Sequence, residues 1–271
     1  MSTFTWLVTG SSSGMGANIT LAALAAGHKV VATARNIAKA KESFPEIENR
    51  GGQWITLDVT SPDTKDIVEK AVQEHDVNVV VNNAGYALRG VLEDLRYQPS
   101  SSILRLREAD NTDPSMSDIR AQIETNLFGL LAVTKGCIPT FRSRRSGTIV
   151  NISSTSGMTG NAGYSLYAAS KFAVEGASES LAAELAPFNI RVLVVEPGAF
   201  RTNFQAAIQS PDQVSEPYRG TTADLIAQRI SSTHGKQPGD PQKAAATIVE
   251  VVTGSGRGKD VEGQLRLPLG E

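Results

Sequence analysis

Short runs that are apolar from end to end, alternating with longer stretches of helical pattern, constrain this chain more than any other feature. "TWLVTG" is a strand closed by Gly10, and "GMGANITLAALAAG" is a helix with Gly27 just past its end. "KVVATAR" and "QWITLDVT" follow as strands. "SPDTKDIVEKAVQEH" opens with Ser61 as N-cap and Pro62 at the first helical position. "VNVVVNNAG" is a fourth strand, and a long helix covers about Asp118 to Phe141. "GTIVNISS", "IRVLVVEPG" and "GQLRLPLG" complete about seven strands, with the helix "DPQKAAATIVEVVTG" opening at Asp240 and Pro241. Strands without polar alternation are buried on both faces, so the sheet is expected to be mostly parallel with helices on both sides.

That pattern predicts one doubly wound, Rossmann-type α/β domain over residues 1–271. Two stretches break the rhythm: "RYQPSSSILRLREADNTDPSMS" and "RTNFQAAIQSPDQVSEPYRG". Within the first, about 97–114, Ile103, Leu104 and Leu106 are the apolar cluster in a segment rich in Ser, Asp and Pro. It leaves the carboxyl edge of the sheet, where it is either a lid or an inert insertion; its unlike composition favours the insertion.

Charge and composition exclude several classes. A net charge of −2 leaves no basic face for nucleic acid and no polybasic membrane anchor. The densest basic group, "FRSRRSG", reads as a solvated turn. Cys137 is the single cysteine, the three histidines His28, His75 and His234 are far apart in sequence, and no Cys/His cluster has metal-ligand spacing, so no metal is expected. The first residues run almost at once into an apolar strand, with no signal peptide and no run of membrane-spanning length. The default is a reduced, cytoplasmic setting.

The first strand–helix junction, "TGSSSGMG", holds Gly10, Ser12, Gly14, Met15 and Gly16. Glycines let a backbone approach an anion closely, and the helix N-terminus offers free N–H groups to a pyrophosphate. A glycine turn is often only a turn, but at this junction of a doubly wound sheet it is expected to bind a dinucleotide. Where NAD-binding chains carry an acid at the end of the second strand, this one has Ala34 and Arg35. Arg35 and Ser12 can both meet a 2′-phosphate, which favours NADP(H). An arginine that merely ends the strand is the plainer alternative. Asp58, in "LDVT", is placed to accept from an adenine amino group, and Gly85, in "NNAG", to pass close to a ribose.

"SLYAASKFAVEG" sets Tyr167 and Lys171 four apart on one helix face, and Tyr167 is the only one of five tyrosines with a lysine four positions on. A cation beside a phenol favours the phenolate and makes the proton easier to move. Two exposed polar residues would be the bland alternative.

Together "TGSSSGMG", "NNAG", "ETNLFG", "IVNISS", "YAASK" and "VEPGAFRT" resemble the short-chain dehydrogenase/reductase family, most closely its NADP-dependent, 17β-hydroxysteroid-dehydrogenase-like and fungal ketoreductase members. The resemblance implies that Tyr167 is the general acid/base and that Lys171 lowers its pKa and holds the nicotinamide ribose. It implies that Ser154, rather than its neighbour Ser153, bonds the substrate oxygen. Asn126 would hold a water linking Lys171 to solvent. Val59, Asn83 and Gly85 would touch the cofactor, while Pro197, Gly198 and Thr202 would frame the nicotinamide. It further implies a small carbonyl or alcohol substrate, and a homodimer or homotetramer built on the helices carrying Asn126 and Tyr167. Phe200, Phe204 and Tyr218 suggest an apolar wall suited to a steroid-, polyketide- or lipid-like substrate. The spacing from Asn83 to Asn126 is longer than the family pattern, and relatives usually continue beyond "LRLPLGE". A non-catalytic NADP(H)-binding sensor is the alternative, and an isomerase or dehydratase a third reading; a sensor would not need the full Ser154–Tyr167–Lys171 set.

Overall fold

The computed structural model describes residues 3–95, 114–204, 208, 214–233, 235–261 and 263–270. The segment at about 97–114 lies outside them except for Pro114, as do His234 and much of the stretch after Phe204. Seven strands form one sheet: β1 (Thr5–Val8), β2 (Lys29–Ala34), β3 (Gln53–Thr56), β4 (Val79–Asn82), β5 (Gly147–Ile152), β6 (Ile190–Pro197) and β7 (Arg266–Leu269). Their order is β3-β2-β1-β4-β5-β6-β7, and every pairing is parallel. The order reverses between β1 and β4, which opens a crevice at their carboxyl ends.

The helices are α1 (Gly14–Ala25), α2 (Ile37–Ser43), α3 (Pro45–Asn49), α4 (Thr64–Glu74), α5 (Pro114–Ile123), α6 (Leu130–Arg144), α7 (Ser165–Leu185), α8 (Thr222–Ser232) and α9 (Pro241–Thr253). Two cores flank the sheet because successive strand residues point to opposite faces. Trp6, Val8, Val81, Val150 and Val195 pack with Ile19 of α1 and Ile248 of α9. Leu7, Val80, Ile149 and Val192 pack with Val68 of α4 and Val133 and Phe141 of α6. Strands apolar on both sides are what such a sandwich requires.

Several boundaries differ from expectation. Helix α4 starts at Thr64, with Asp63 at the cap. Ser61 and Pro62 form the turn before it, since the Ser61 carbonyl accepts from Thr64 N at 3.1 Å and closes a tight turn first. The long helix is not uniform: Glu124–Gly129, between α5 and α6, is a π-helical turn centred on Asn126. Asp240 and Pro241 open α9 as expected, the Asp240 carboxylate accepting from Gln242 N and Lys243 N. Gly27 follows α1 at φ +82°, the left-handed conformation of a helix stop.

Candidate active site

The glycine turn forms first. Gly10 and Gly14 have φ of +68° and +54°, which other residues adopt only under strain. A side chain at Gly16 would collide with the Gly10 carbonyl and the Asn83 amide. Asn83 Nδ2 donates to the carbonyls of Thr9 at 2.8 Å and Gly10 at 3.2 Å. Thr9 Oγ1 accepts from Asn83 N and Ala84 N at 2.9 and 3.0 Å. Asn83 therefore braces the turn from β4 with its side-chain donor already engaged. Ser11 Oγ donates to the Val8 carbonyl, while Ser12 and Met15 are half-buried on the turn. The N-terminus of α1 opens above it.

Arg35 stands exposed at the end of β2. Asp58 Oδ1 accepts from the backbone and hydroxyl of Thr60 at 3.0 and 2.8 Å, which fixes the carboxylate at the end of β3. Val59 is buried against Gly129 of the π-helical turn. Gly85 makes room for Asn126: a Cβ there would lie 3.0 Å from Asn126 Oδ1. After β6, Gly198 N donates to the Leu269 carbonyl, and Thr202 reaches back to 3.7 Å from where a Gly14 Cβ would stand. The loop after β6 thus faces the glycine turn across the crevice. These residues form a backbone-lined cradle with a cation at one end, which fits a dinucleotide carrying a 2′-phosphate.

Tyr167 and Lys171 lie deeper, both 6 % exposed. Lys171 Nζ donates to the Ile152 carbonyl at 2.8 Å and sits 5.8 Å from the centre of the Tyr167 ring. Burial pushes the Tyr167 phenol up to about 12, opposed by a hydrogen bond with Ser154. The same burial brings the Lys171 ammonium down to about 8, opposed by Glu175. The expected lowering of the phenol by its lysine does not show in the protein alone: burial of the phenolate dominates, and the influence that opposes it comes from Ser154. Ser154 Oγ also accepts from Ser156 N at 3.1 Å, whereas Ser153 is buried with its Oγ against Gly157. Asn126 is locked by Tyr86, accepting from its N at 3.1 Å and donating to its carbonyl at 2.9 Å, and by Ser170 Oγ at 3.0 Å. A π-helical turn at a polar buried residue is a frequent mark of a functional position.

Of the expected pocket wall, only Phe204 meets the phenol, its ring 5.9 Å from that of Tyr167. Phe200 instead pairs with Gly239 and closes the base of its loop. Tyr218 bonds to Glu93 instead. Two residues escaped the sequence reading. Tyr164 packs edge-on at 6.2 Å from Tyr167 and is bonded by Arg89. Its spacing of three residues before Tyr167 was the available signal. Beyond them a cavity of about 420 Å³ opens among Arg89, Val91, Gly163, Arg219, Ile226 and Gln228. Among the described residues no His/Cys/Asp/Glu cluster is built to hold a metal, and no helix is long and apolar enough to cross a membrane.

A parallel doubly wound sheet with a glycine turn at its switch point, and a serine beside a buried Tyr–Lys pair, defines a class of nucleotide-dependent oxidoreductase folds. The family model for short chain dehydrogenases matches residues 5–213, and the chain belongs to that family. It is 53 % identical over 227 residues to the oxidoreductase claN of Passalora fulva, covering 83 % of this chain and 95 % of the relative. A short-chain dehydrogenase from Streptomyces avermitilis superposes with a TM-score of 0.80 at 37 % identity, over 99 % of this chain and 88 % of that one. The actinorhodin polyketide ketoreductase, solved as a variant with NADPH, gives 0.74 at 26 % identity, over 98 % and 95 %.

Proposed function

We propose that the protein is an NADP(H)-dependent reductase of ketones, or dehydrogenase of secondary alcohols, acting on an apolar substrate. The observation that carries this is the buried Tyr167–Lys171 pair with half-buried Ser154 bonded to the phenol, at the mouth of the glycine-lined crevice. Gly10, Ser12, Gly14, Met15 and Gly16 hold the pyrophosphate, with Asn83 bracing them. Arg35 takes the 2′-phosphate, Asp58 and Val59 border the adenine, and Gly85, Pro197, Gly198 and Thr202 border the nicotinamide and its ribose. The ketoreductase relative was solved with NADPH.

The bound cofactor supplies the hydride in the reducing direction. Tyr167 gives its Oη proton to the substrate oxygen, and a phenol held up near 12 is fully protonated for this at neutral pH. Transfer runs downhill because an alkoxide is far more basic than a phenolate. Ser154 orients that oxygen by a hydrogen bond. Lys171, still mainly cationic at pH 7, stabilises the phenolate left behind. Asn126, fixed by Tyr86 and Ser170, would hold a water that links Lys171 to solvent for proton return.

The substrate class rests on Phe204 and Tyr164 beside the phenol, on the cavity beyond them, and on the polyketide named for the ketoreductase relative. The whole chain is read as one domain, with about 97–114 as an insertion without a catalytic part. Exposed Phe128 on the π-helical turn and Phe172 on α7 support a homodimer or homotetramer through these helices. A panel of steroid, polyketide-like and short polar ketones, followed by absorbance of the reduced cofactor, tests the reading. Turnover of apolar ketones with NADPH is expected; tight NADPH binding with no turnover of any carbonyl or alcohol would instead make it a cofactor-binding sensor.

A further inference from the structure

Two aromatic rings stand beside the Tyr167 phenol, and each is held by a different part of the fold. The Tyr164 ring lies 6.2 Å from that of Tyr167 and is inclined to it at 63°; the Phe204 ring lies 5.9 Å away at 51°. Tyr164 is the residue before α7. Its N donates to the Asn161 carbonyl at 3.0 Å and its carbonyl accepts from Ala168 N at 2.7 Å, so the start of the helix sets its backbone. The loop after β4 holds the same turn: Gly90 N donates to the Gly163 carbonyl at 2.9 Å, and Arg89 bonds the Tyr164 hydroxyl. Phe204 belongs to the loop after β6, where its N donates to Thr202 Oγ1 at 3.2 Å.

The two phenylalanines of that loop differ in use. Phe200 packs against its own loop, since a Cβ at Gly239 would lie 2.5 Å from its ring. Phe204 keeps 37 % of its surface exposed beside the phenol. Aromatic side chains that line a site without being packed into the core are surface for a ligand to cover.

We infer that Tyr164 and Phe204 are specificity-determining residues that select planar aryl ketones over saturated ketones of equal size. This narrows the apolar substrate class proposed above and rests on that reading. A saturated ring system gains only by covering area on the two rings. An aromatic guest gains more, because aromatic pairs attract when offset-stacked or edge-to-face, beyond the area they bury. That preference corresponds to about fivefold in affinity for each pair. A second fused ring has room beyond Tyr164. The cavity of about 420 Å³ has Ala162 and Gly163, the residues just before Tyr164, in one wall and Val91 and Ile226 in others.

The test compares 2-acetylnaphthalene with its fully saturated counterpart, 2-acetyldecalin, each reduced with NADPH. Conjugation makes the aryl ketone intrinsically slower to reduce. The quantity read is therefore the aryl-to-saturated ratio of kcat/KM, compared between variants, in which that difference cancels. Tyr164→Leu and Phe204→Leu keep an apolar side chain and remove the ring. Each is expected to lower the ratio about fivefold. Tyr164→Phe and Phe204→Tyr keep the rings and should leave the ratio within about twofold of wild type. Leucine variants in which both ketones lose equally overturn the inference, since lost bulk or a disturbed fold would do the same. Should the leucine variants not fold, calorimetry on the wild type loaded with NADP⁺, which cannot reduce either ketone, decides instead. The aryl ketone should bind the tighter, and a saturated ketone that binds as tightly overturns the inference. A wild type that binds the aryl ketone the tighter yet reduces neither with NADPH would refute the proposed reaction and leave the aromatic selection standing.

Discussion

Burial moves Tyr167 and Lys171 in opposite directions, and both shifts favour the neutral forms. For Lys171 the consequence for stability follows from proton binding. Its folded midpoint, about 8, is below the 10.5 of an ordinary lysine, so between those values the unfolded chain binds more protons. The wild type should therefore gain stability relative to Lys171→Met as pH rises from 8 to 10.5. The gain should be on the order of 3 kcal/mol at most, at 1.36 kcal/mol per pH unit. Chemical denaturation of both proteins across that range measures it, and parallel curves would mean Lys171 titrates normally. Arg35 offers a separate test. Arg35→Asp puts a carboxylate where the 2′-phosphate would sit, so kcat/KM should shift from NADPH toward NADH by at least about tenfold. An unchanged ratio would show that Arg35 does not read the phosphate.

At the scale of elements, the glycine turn is held as much by β4 as by its own glycines. Asn83 fills the space next to Gly16, so Gly16→Ala must push the turn open. It should cost about 1–3 kcal/mol of stability, as overpacking does. NADPH affinity should fall with it, read by quenching of protein fluorescence; full affinity would mean the turn does not hold the pyrophosphate. The strands and the longer helices could be read from hydrophobic pattern because their apolar faces are continuous. Helices α2 and α3 could not: each is too short to show a period, and α2 depends on Asn36, whose side chain accepts from Lys39 N. The π-helical turn left no pattern either, since Asn126 is fixed by Tyr86 from a distant loop. Asn83 and Gly85 were flagged from the motif, yet their immediate contacts are with the protein itself. That distinction comes from tertiary geometry, which spacing does not contain. The balance at Tyr167 was hidden for the same reason: the lysine shows in the sequence, but the depth of burial does not.

For the whole molecule, the seven-stranded parallel order places the glycine turn, the Tyr167 helix and the loop after β6 around one crevice. The outer faces of the π-helical turn and α7 still expose Phe128 and Phe172, at 52 % and 47 %. Phe172→Asp combined with Phe128→Asp should reduce the mass in solution to that of one chain, measured by light scattering on a size-exclusion column. A wild type already monomeric would refute this interface. The central claim, that the buried phenol is the proton donor of a reductase, is tested most directly by Tyr167→Phe. The substitution keeps the ring and removes the transferable proton. NADPH binding should remain close to wild type while kcat for ketone reduction falls at least about 100-fold. Wild-type turnover by the Tyr167→Phe protein, with NADPH bound as tightly as before, would contradict the account.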